Sequence, residues 1–216
     1  MNSIITQIPL FSGLNQQELN KALLFYGAFQ RHYQKGEFLH QILSPMEHFG
    51  LVLSGTVQVY MDDMDGYQMI MANVSRGDLF GESLCFLGAD APVYIVAMSD
   101  CDILWMDVKQ LKAGRKKDDF EAELANRFTA MLAHRALSMN DRIQILSKNS
   151  LRSKLITFFS QYVQRQGETF TIPFDRESMA TYLGVNRSAL SRELGQMEAE
   201  GIITFHKNHF TIHHKI

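Results

Sequence analysis

The spacing of apolar side chains changes along the chain and indicates regions of different secondary structure. In residues 1–28, leucine and phenylalanine recur at roughly helical intervals, and residues 15–18 are the candidate helix start. In residues 29–107, short runs of valine, isoleucine and aromatic residues alternate with breaks that contain glycine, proline or aspartate. Such regular short strands predict an antiparallel barrel or sandwich. Asp65 and Gly66 predict a tight hairpin turn within it.

The next region is a single long amphipathic pattern. Residues 118–146 contain neither proline nor glycine, and Asp118 and Asp119 favour a helix N-terminus there. A helix of about 29 residues spans more than ~40 Å, which is longer than a small domain needs. A stripe of this length usually packs against a copy of itself, although a surface helix on its own domain is the alternative. The residues predicted to form a dimer interface are Leu124, Phe128, Met131, Met139 and Ile143.

Residues 176–194 carry two short helical patterns joined by a turn at residues 184–186. Gly184 can adopt the left-handed conformation that ends the first helix, and Asn186 can cap the second. The buried stripes are Met179, Ala180, Leu183, Leu190, Leu194 and Met197. The side chains left on the outer face of the second helix are Arg187, Ser188, Ser191 and Arg192. This cationic face predicts a helix-turn-helix that reads DNA, and an ordinary helical hairpin is the alternative.

Further patterns flank the helix-turn-helix. Residues 169–174 predict a short strand, Asp175 is the predicted cap of the following helix, and residues 201–213 predict a two-stranded wing that turns at positions 207 and 208. Residues 147–150 end the long helix and form a candidate hinge, with Ser150 as the cap of the next helix. The predicted domains are therefore residues 1–117, 118–148 and 149–216.

Charge is distributed unevenly between the two halves of the chain. The 216 residues are 46% hydrophobic and 20% charged, as in a globular protein, and the formal net charge is −2. Residues 1–149 contain 13 basic and 17 acidic side chains, whereas residues 150–216 contain 8 basic and 6 acidic ones. The half with the helix-turn-helix is thus the positive one, and its modest excess means that DNA binding would depend on local placement of arginine and lysine.

Several classes of protein do not fit the sequence. No apolar run reaches the ~18 residues of a membrane span, and the N-terminal residues lack the pattern of a signal peptide, so we expect a cytoplasmic protein. Cys85 and Cys101 give neither a disulfide framework nor a zinc spacing. An enzyme is not predicted, because no nucleophile–base constellation, glycine-rich phosphate loop or metal-spaced cluster is present.

Five segments occur in an order that a known family shares. They are residues 35–37 (Lys-Gly-Glu), 53–57 (Leu-Ser-Gly-Thr-Val), 77–82 (Gly-Asp-Leu-Phe-Gly-Glu), 183–192 and 200–203. In this order they resemble the cyclic-AMP receptor protein and fumarate–nitrate regulator (Crp/Fnr) family of bacterial transcription factors. The resemblance implies an α+β fold with an N-terminal cyclic-nucleotide-binding-like β-roll, a long dimerisation helix and a C-terminal winged helix-turn-helix. It also implies a ligand-gated homodimer that binds palindromic double-stranded DNA and contacts RNA polymerase.

The resemblance assigns roles to the outer face of the second helix. Arg187 and Arg192 match family positions that contact DNA, and Ser191 matches a position used in the fumarate–nitrate branch. The family often has a glutamate where this chain has Ser188, so the base preference of the family does not transfer. The residues placed to contact phosphates are Ser178, Asn186, His206 and Lys207.

The expected effector differs from that of the cyclic-nucleotide binders. In those members an arginine followed by serine or threonine grips the cyclic phosphate, and Pro92 stands at the arginine position here. A buried phosphate without a guanidinium would be poorly paired, so we predict an effector other than cyclic AMP. A small organic anion beside Arg127 and Arg135 is the hypothesis, with interhelical salt bridges of these arginines to aspartate or glutamate as the alternative. The predicted pocket consists of Gly81, Glu82, Leu84, Pro92, Val93, Tyr94, Arg127, Phe128, Met131 and Arg135.

No cofactor is assigned from the sequence. The first 84 residues contain no cysteine, which argues against the iron–sulfur cluster of the fumarate–nitrate branch. Two alternatives remain: a haem or redox sensor of the same fold, and a relative of the same fold that does not bind DNA. The candidate haem ligands are His32, His40, His48, His134 and Cys85, and Cys85 with Cys101 is the candidate redox pair.

Overall fold

The structure, a computed structural model, describes residues 2–62 and 68–213. The chain divides into two compact units, Met1–Leu132 and Ala133–Ile216. The hairpin turn predicted at Asp65 and Gly66 lies outside the described residues. No helix in the described ranges is both long and apolar enough to cross a membrane.

The N-terminal residues form two helices, α1 (Asn2–Ile5) and α2 (Gln16–Phe25). The helical pattern of residues 1–28 is therefore interrupted, and Pro9, which has no amide hydrogen, lies in the interruption. The predicted helix start is confirmed. The Asn15 side chain accepts hydrogen bonds from backbone amides of the first turn, and the Glu18 carboxylate accepts one from the Asn15 amide at 2.9 Å. This reciprocal capping box fixes the first turn of α2.

The β-rich region is an antiparallel roll, as predicted. Its described strands are β1 (Phe29–Tyr33), β2 (Phe38–His40), β3 (Phe49–Ser54), β4 (Thr56–Asp62), β5 (Gln68–Ser75), β6 (Leu79–Phe80), β7 (Tyr94–Ala97) and β8 (Cys101–Met106). They form two sheets with the strand orders β1-β8-β3-β6 and β2-β7-β4-β5. Helix α3 (Glu82–Leu87) connects β6 to β7, and α4 (Lys109–Lys112) follows β8. The roll thus places α3 at the position of the predicted effector pocket.

Gly50 marks a close contact in the core of the roll. Strand β3 is buried along most of its length, and the Phe80 ring lies directly on Gly50. A Cβ atom at position 50 would lie 2.2 Å from Cζ of Phe80, which is closer than any real contact of this kind. The Phe80 ring in turn packs edge-on against Trp105, with centroids 5.4 Å apart. Only glycine therefore lets β3 and β6 pair at this point.

Gly50→Ala is expected to destabilise the first unit by about 1–3 kcal/mol, because the Phe80 ring must move out of a packed core. Denaturant unfolding monitored by the fluorescence of Trp105, the single tryptophan, measures this change. Gly114→Ala is the control, since a Cβ at that position meets nothing within 4 Å. Equal stability of the two variants would show that the core can absorb the methyl group and that the packing argument is wrong.

The long helix is α5 (Asp119–Leu146). The helix begins beside Asp118 and Asp119 as predicted, and Oδ1 of Asp118 in addition accepts a hydrogen bond from the Glu121 amide at 2.8 Å. The boundary between the two units follows Leu132 and lies inside α5, whereas the domain division predicted from the sequence places boundaries at both ends of this helix. Residues at the two ends of α5 therefore pack in different units.

The second unit contains a helix-turn-helix and a small sheet. Its described elements after α5 are α6 (Leu151–Gln166), β9 (Thr169–Thr171), α7 (Arg176–Leu183), α8 (Arg187–Ala199), β10 (Ile203–His206) and β11 (His209–Ile212). The sheet has the order β10-β11-β9 and is antiparallel, so the predicted wing is confirmed and β9 joins it as a third strand. The strand predicted over residues 169–174 ends at Thr171, close to Pro173, which cannot donate a ladder hydrogen bond.

Predicted caps fix the ends of these helices. Ser150, Asp175 and Asn186 each accept a hydrogen bond from a backbone amide in the first turn of α6, α7 and α8 respectively. Gly184 ends α7 in the left-handed conformation, with φ 62° and ψ 47°. The two apolar stripes predicted for this motif are buried and pack together: Met179, Ala180, Leu183, Leu190, Leu194 and Met197. The core of the second unit thereby determines which side of α8 is left to solvent.

Candidate nucleic-acid interface and effector pocket

Helix α8 has one anchored face and one solvent-exposed face. Its apolar residues are buried, whereas Arg187, Ser188, Ser191 and Arg192 are all exposed. Their spacing of one, three and one residues places them on one side of the helix. The major groove of DNA is about 12 Å wide and accepts a helix of this kind. The predicted outer face is therefore present as one continuous polar surface.

The two arginines of this surface are available for other partners. Nε of Arg187 lies 3.5 Å from Oε2 of Glu177, and the two side chains are 64% and 71% exposed. Such an exposed pair contributes about 0–1 kcal/mol, so it can be exchanged for a better acceptor. Arg192 is exposed and forms no ion pair with the residues that the structure describes. Both guanidinium groups can thus reach a base edge at little cost.

Ser188 and Asn186 form one local hydrogen-bonded group. The backbone amide and the hydroxyl of Ser188 both donate to Oδ1 of Asn186, at 2.8 and 2.6 Å. Because the Ser188 proton is used in this bond, its oxygen presents lone pairs to the surroundings. Ser188 thus offers an acceptor, as the family's glutamate would, but without the negative charge. The Asn186 side chain retains its amide hydrogens for a phosphate.

Arg176 holds the wing beside the start of α7. Its Nη2 donates to the carbonyl oxygen of Lys207 at 3.2 Å, and its guanidinium lies 5.2 Å from the ring centroid of Phe205 and 5.9 Å from that of Phe210. Burial lowers the pKa of Arg176 from its ordinary value. Lys207 occupies the left-handed turn at the wing tip with φ 56°. The exposed side chains of Lys207, His206 and Ser178 are consequently presented by a fixed hairpin and a capped helix.

Arg152 joins α6 to the middle of α8 and to the residue that follows α8. Its Nε donates to Glu193 at 2.6 Å, and its two terminal nitrogens donate to the Glu200 carboxylate at 2.7 and 2.8 Å. The Arg152 guanidinium holds the pKa of Glu200 below its usual value. This fork geometry restricts rotation of α8 about its own axis. Arg152 is thus a positioning residue for the exposed face.

Neither Arg152 nor Arg176 was singled out from the sequence, although a signal was present. Both lie in the first turn of a helix, where the helix dipole disfavours a positive charge. An arginine at such a position needs a partner elsewhere in the fold. The carboxylates bonded to Arg152 are 41 and 48 residues away, and the Lys207 carbonyl bonded to Arg176 is 31 residues away, so the sequence alone did not identify these bonds.

The last turns of α5 are fixed within the second unit. Nε of Arg142 donates to the Tyr182 carbonyl at 3.3 Å, and its guanidinium lies 5.3 Å from the centre of the Tyr182 ring. Asp141 forms an ion pair with Arg165, and its carbonyl accepts a hydrogen bond from Gln161 at 3.1 Å. These bonds connect α5 to α6 and α7 across residues 147–150. Any bending at the predicted hinge must therefore break or rearrange them.

The predicted effector residues of the roll lie around α3. Gly81 and Glu82 begin this helix, and Glu82 is only 2% exposed. The Phe128 ring from α5 lies 5.7 Å from that of Phe86 in α3, so the two helices meet. Leu84, Val93 and Met131 are half-buried and pack against the core of the roll, and Pro92 is exposed. Tyr94 stacks on Tyr60 with centroids 5.1 Å apart.

The two arginines of the predicted pocket have different surroundings. Arg127 forms an ion pair with Glu123 at 2.8 Å, and its Nη1 donates to the Ser12 carbonyl at 2.6 Å. This ion pair lies within α5, whereas the alternative raised for Arg127 was a salt bridge between helices. Arg135 lies in the second unit and not in the unit that contains the roll. The other nine predicted pocket residues all belong to the first unit, and the ten-residue pocket stays a prediction.

The predicted dimer stripe divides into two parts. Leu124 and Phe128 are core residues of the roll, where Phe128 packs against Tyr26, Phe49 and Phe86. The Tyr26 hydroxyl donates to the Leu124 carbonyl at 3.0 Å and holds this part of α5 in the first unit. These two side chains are not available to a partner, because their own chain covers them. In the rest of the stripe, the exposed fractions of Met139 and Ile143 are 61% and 59%, and Met131 is half-buried.

The candidate haem and redox residues have different surroundings, and His40 and His48 line one cavity of the roll. No group of three or more histidine, cysteine, aspartate or glutamate side chains in the described ranges could hold a metal ion. Cys85 and Cys101 are buried and free. Burial raises the pKa of Cys85 to about 11, and its Sγ donates to the Glu47 carbonyl at 3.2 Å. A thiol kept protonated in this way is a poor ligand and a slow nucleophile. Nδ1 of His32 is bonded to Asp102 at 3.0 Å.

Comparison with known proteins connects these two units to one family. Residues 30–118 match the model of the cyclic nucleotide-binding domain, and residues 153–215 match that of the Crp-like helix-turn-helix domain. The chain is 24% identical over 195 residues to the cyclic AMP receptor protein of Thermus thermophilus, covering 90% of this chain and 88% of the relative. It is also 24% identical to the regulatory protein HlyX of Actinobacillus pleuropneumoniae, covering 98% of this chain and 88% of the relative.

The solved structures support the same fold. The Thermus thermophilus catabolite activator protein is similar with a TM-score of 0.51 and 21% identity, over 95% of this chain and 94% of that structure. At this identity the similarity concerns the fold alone. The order of the two matched domains and the curated relatives together identify the chain as a member of the Crp/Fnr family of DNA-binding transcription regulators.

Proposed function

We propose that this regulator acts as a homodimer whose two α8 helices read the half-sites of a palindromic duplex, and that a small molecule other than cyclic AMP controls its affinity for DNA. The observation that carries the proposal is the exposed cationic side of α8, which the buried stripes and Arg152 hold in one orientation. A preformed face of this kind loses little conformational entropy on binding.

Each side chain of this face has a role in the proposed complex. Arg187 and Arg192 each donate two hydrogen bonds to a guanine, which is worth about 1–3 kcal/mol of discrimination per contact. Ser188 accepts a hydrogen bond from a base or a water molecule, and Ser191 contacts an adjacent base. The residues that bind phosphates and set the register are Ser178, Asn186, His206 and Lys207.

The exposed stripe on the second half of α5 is the proposed dimer contact. Met139, Ile143 and Leu146 are 61%, 59% and 40% exposed, and their spacing of four and three residues places them on one face. Apolar side chains at this spacing pack against a two-fold-related helix in a coiled coil. Two α8 helices presented by such a dimer would enter successive major grooves about 34 Å apart.

The charge of the roll supports an effector other than a cyclic nucleotide. Residues 77–108, which include α3 and the loop with Pro92, contain no lysine or arginine. The same segment contains the acidic side chains Asp78, Glu82, Asp90, Asp100, Asp102 and Asp107. A phosphodiester placed there would meet negative charge without a compensating guanidinium. An effector must favour the DNA-competent state by about 1–3 kcal/mol, after which the bound dimer contacts RNA polymerase as family members do.

Cyclic AMP is expected to produce no measurable heat of binding in isothermal titration calorimetry with the full chain. The reason is the missing phosphate-binding arginine at Pro92. Pro92→Arg is the informative second variant, because it restores the cation and should bind more strongly than the parent chain. Micromolar binding of cyclic AMP to the unchanged protein would overturn this part of the proposal.

The DNA-binding function is tested with labelled fragments of sheared bacterial chromosomal DNA. We expect the fluorescence anisotropy to rise with protein at low salt and the association constant to fall steeply between about 50 and 200 mM salt, because bound counterions are released. Absence of binding at the lowest salt concentration would contradict the proposed function.

A further inference from the structure

A second cavity opens on the roll and shares no residue with the predicted effector pocket. It has a volume of about 250 Å³ and is formed by β1, β2, β8 and the segment before β3. Phe29, Arg31, Tyr33, His40 and Trp105 are among its lining residues. None of these five takes part in the DNA-reading surface. The cavity therefore needs an explanation that is separate from the proposed function.

Strand β1 supplies one wall of the cavity because of its place in the sheet. β1 is the edge strand of the order β1-β8-β3-β6. Alternate residues of a strand point to the same side, so Phe29, Arg31 and Tyr33 share one face. Trp105 pairs with Phe29 in register and continues the aromatic surface on β8. This wall combines three aromatic rings with one guanidinium.

Two hydrogen-bond donors at the cavity have no acceptor among the described residues. Nε1 of Trp105 donates to the Tyr33 hydroxyl oxygen at 3.0 Å, so the Tyr33 proton remains for another acceptor. The Arg31 guanidinium lies 4.8 Å from the centre of the Tyr33 ring and forms no ion pair with the residues that the structure describes. The Arg31 guanidinium above the Tyr33 ring and the Tyr33 hydroxyl at its edge are therefore two donors close to one another.

His40 adds a buried group without a partner. Its Nε2 is buried and has no hydrogen-bond partner in the described structure. A buried polar atom left in this state costs about 1–3 kcal/mol, and native proteins rarely keep one. Burial lowers the pKa of His40, so the ring is neutral at pH 7 and can donate or accept a single hydrogen bond. His40 thus lines the cavity as an uncharged residue.

We propose that this cavity binds a small aromatic monocarboxylate. The carboxylate pairs with the exposed Arg31 guanidinium and accepts the Tyr33 proton, and both hydrogen bonds are charge-assisted. The ring of the ligand packs edge-on or offset against Phe29 and Trp105.

The volume of the cavity and the charge of its lining restrict the size and the charge of the ligand. The volume lies below the range of about 300–1,000 Å³ that suits drug-sized ligands, so a single ring is favoured. Glu47 is exposed and also lines the cavity. Its negative charge disfavours a second carboxylate on the ligand.

Trp105 makes the proposal directly measurable, because it is the single tryptophan of the chain and lies in the cavity wall. Titration of the full-length protein with benzoate is expected to change the tryptophan fluorescence saturably, with a dissociation constant of about 1 mM or tighter. Calorimetry under the same conditions should give the same constant. Benzyl alcohol, which has the ring but no carboxylate, should bind at least about tenfold more weakly.

Two arginine variants make the test specific. Arg31→Leu should weaken benzoate binding at least about tenfold, whereas Arg76→Leu, an exposed arginine of the same unit outside the cavity, should leave it unchanged. Far-ultraviolet circular dichroism confirms that both variants are folded. The proposal is overturned by a titration without saturation, by equal binding of benzyl alcohol, or by an Arg31→Leu variant that binds benzoate as well as the parent. Because the benzoate titration contains no DNA, its outcome is independent of the DNA-binding test.

Discussion

Replacing both Arg187 and Arg192 with alanine is expected to reduce the affinity for a specific DNA site by about 100-fold or more, since each bidentate guanine contact is worth about 1–3 kcal/mol. Both side chains are exposed, and neither contributes to the buried stripes that pack α8. The thermal midpoint of the protein should therefore stay unchanged. The loss would come from the interface with DNA and not from the fold.

Fluorescence anisotropy on a labelled specific duplex and on chromosomal fragments separates base reading from charge. The double variant should lose more affinity for the specific duplex than for the fragments, because base contacts are lost in addition to two positive charges. Lys35→Ala with Arg76→Ala is the matched control, since it removes two exposed positive charges from the first unit. An equal loss in the control would mean that net charge alone accounts for binding, and the assigned roles of Arg187 and Arg192 would then be wrong.

Replacing Met139 and Ile143 with glutamate is expected to raise the dissociation constant of the dimer by about 100-fold or more. Two carboxylates would be brought together with their symmetry mates at an apolar contact, which combines lost burial with like-charge repulsion. Both side chains are exposed in the single chain, so the fold of the monomer should persist. Affinity for a palindromic duplex should fall as well, because one chain can contact only one half-site.

Sedimentation equilibrium over a range of protein concentrations measures this effect. Leu137→Glu is the control, because Leu137 is 59% exposed but lies two residues from Met139 and thus on the opposite side of α5. The control should remain dimeric. If the Leu137 variant dissociates and the Met139–Ile143 variant does not, the partner helix packs on the other face of α5.

Local signals made the helix-turn-helix predictable from the sequence. A cap needs only one side-chain oxygen and the amides two or three residues later, so Asp175 and Asn186 could be assigned before the structure was known. Gly184 gave the end of α7 for an equally local reason, since the left-handed conformation favours glycine. The wing followed from two short strand patterns around Lys207 and Asn208.

Features that depend on distant partners were not predictable in the same way. Leu124 and Phe128 belong to the same helical stripe as Met139 and Ile143, but periodicity does not say which surface covers each part. The roll covers the first pair, whereas the second pair belongs to the second unit and is exposed. The stripe therefore indicated an apolar face correctly. The surface that covers this face differs between the first and the second half of α5.

The predicted effector pocket also depended on partners that are distant in the sequence. Arg127 was placed in a pocket because it has apolar neighbours on a helix, whereas in the fold it reaches the Ser12 carbonyl, 115 residues away. The cavity beside Arg31 was missed for a related reason. Its wall combines alternate residues of an edge strand with Trp105 from the strand paired to it, and only the strand order brings them together.

Selection of duplexes from a random pool by the purified protein, followed by sequencing, tests the central claim most directly. A dimer that reads DNA through two α8 helices should enrich an inverted repeat whose half-sites have centres about 10–10.5 base pairs apart. The Arg187→Ala, Arg192→Ala protein should fail to enrich that repeat. Recovery of no shared motif, or of one asymmetric motif without a repeat, would contradict the claim.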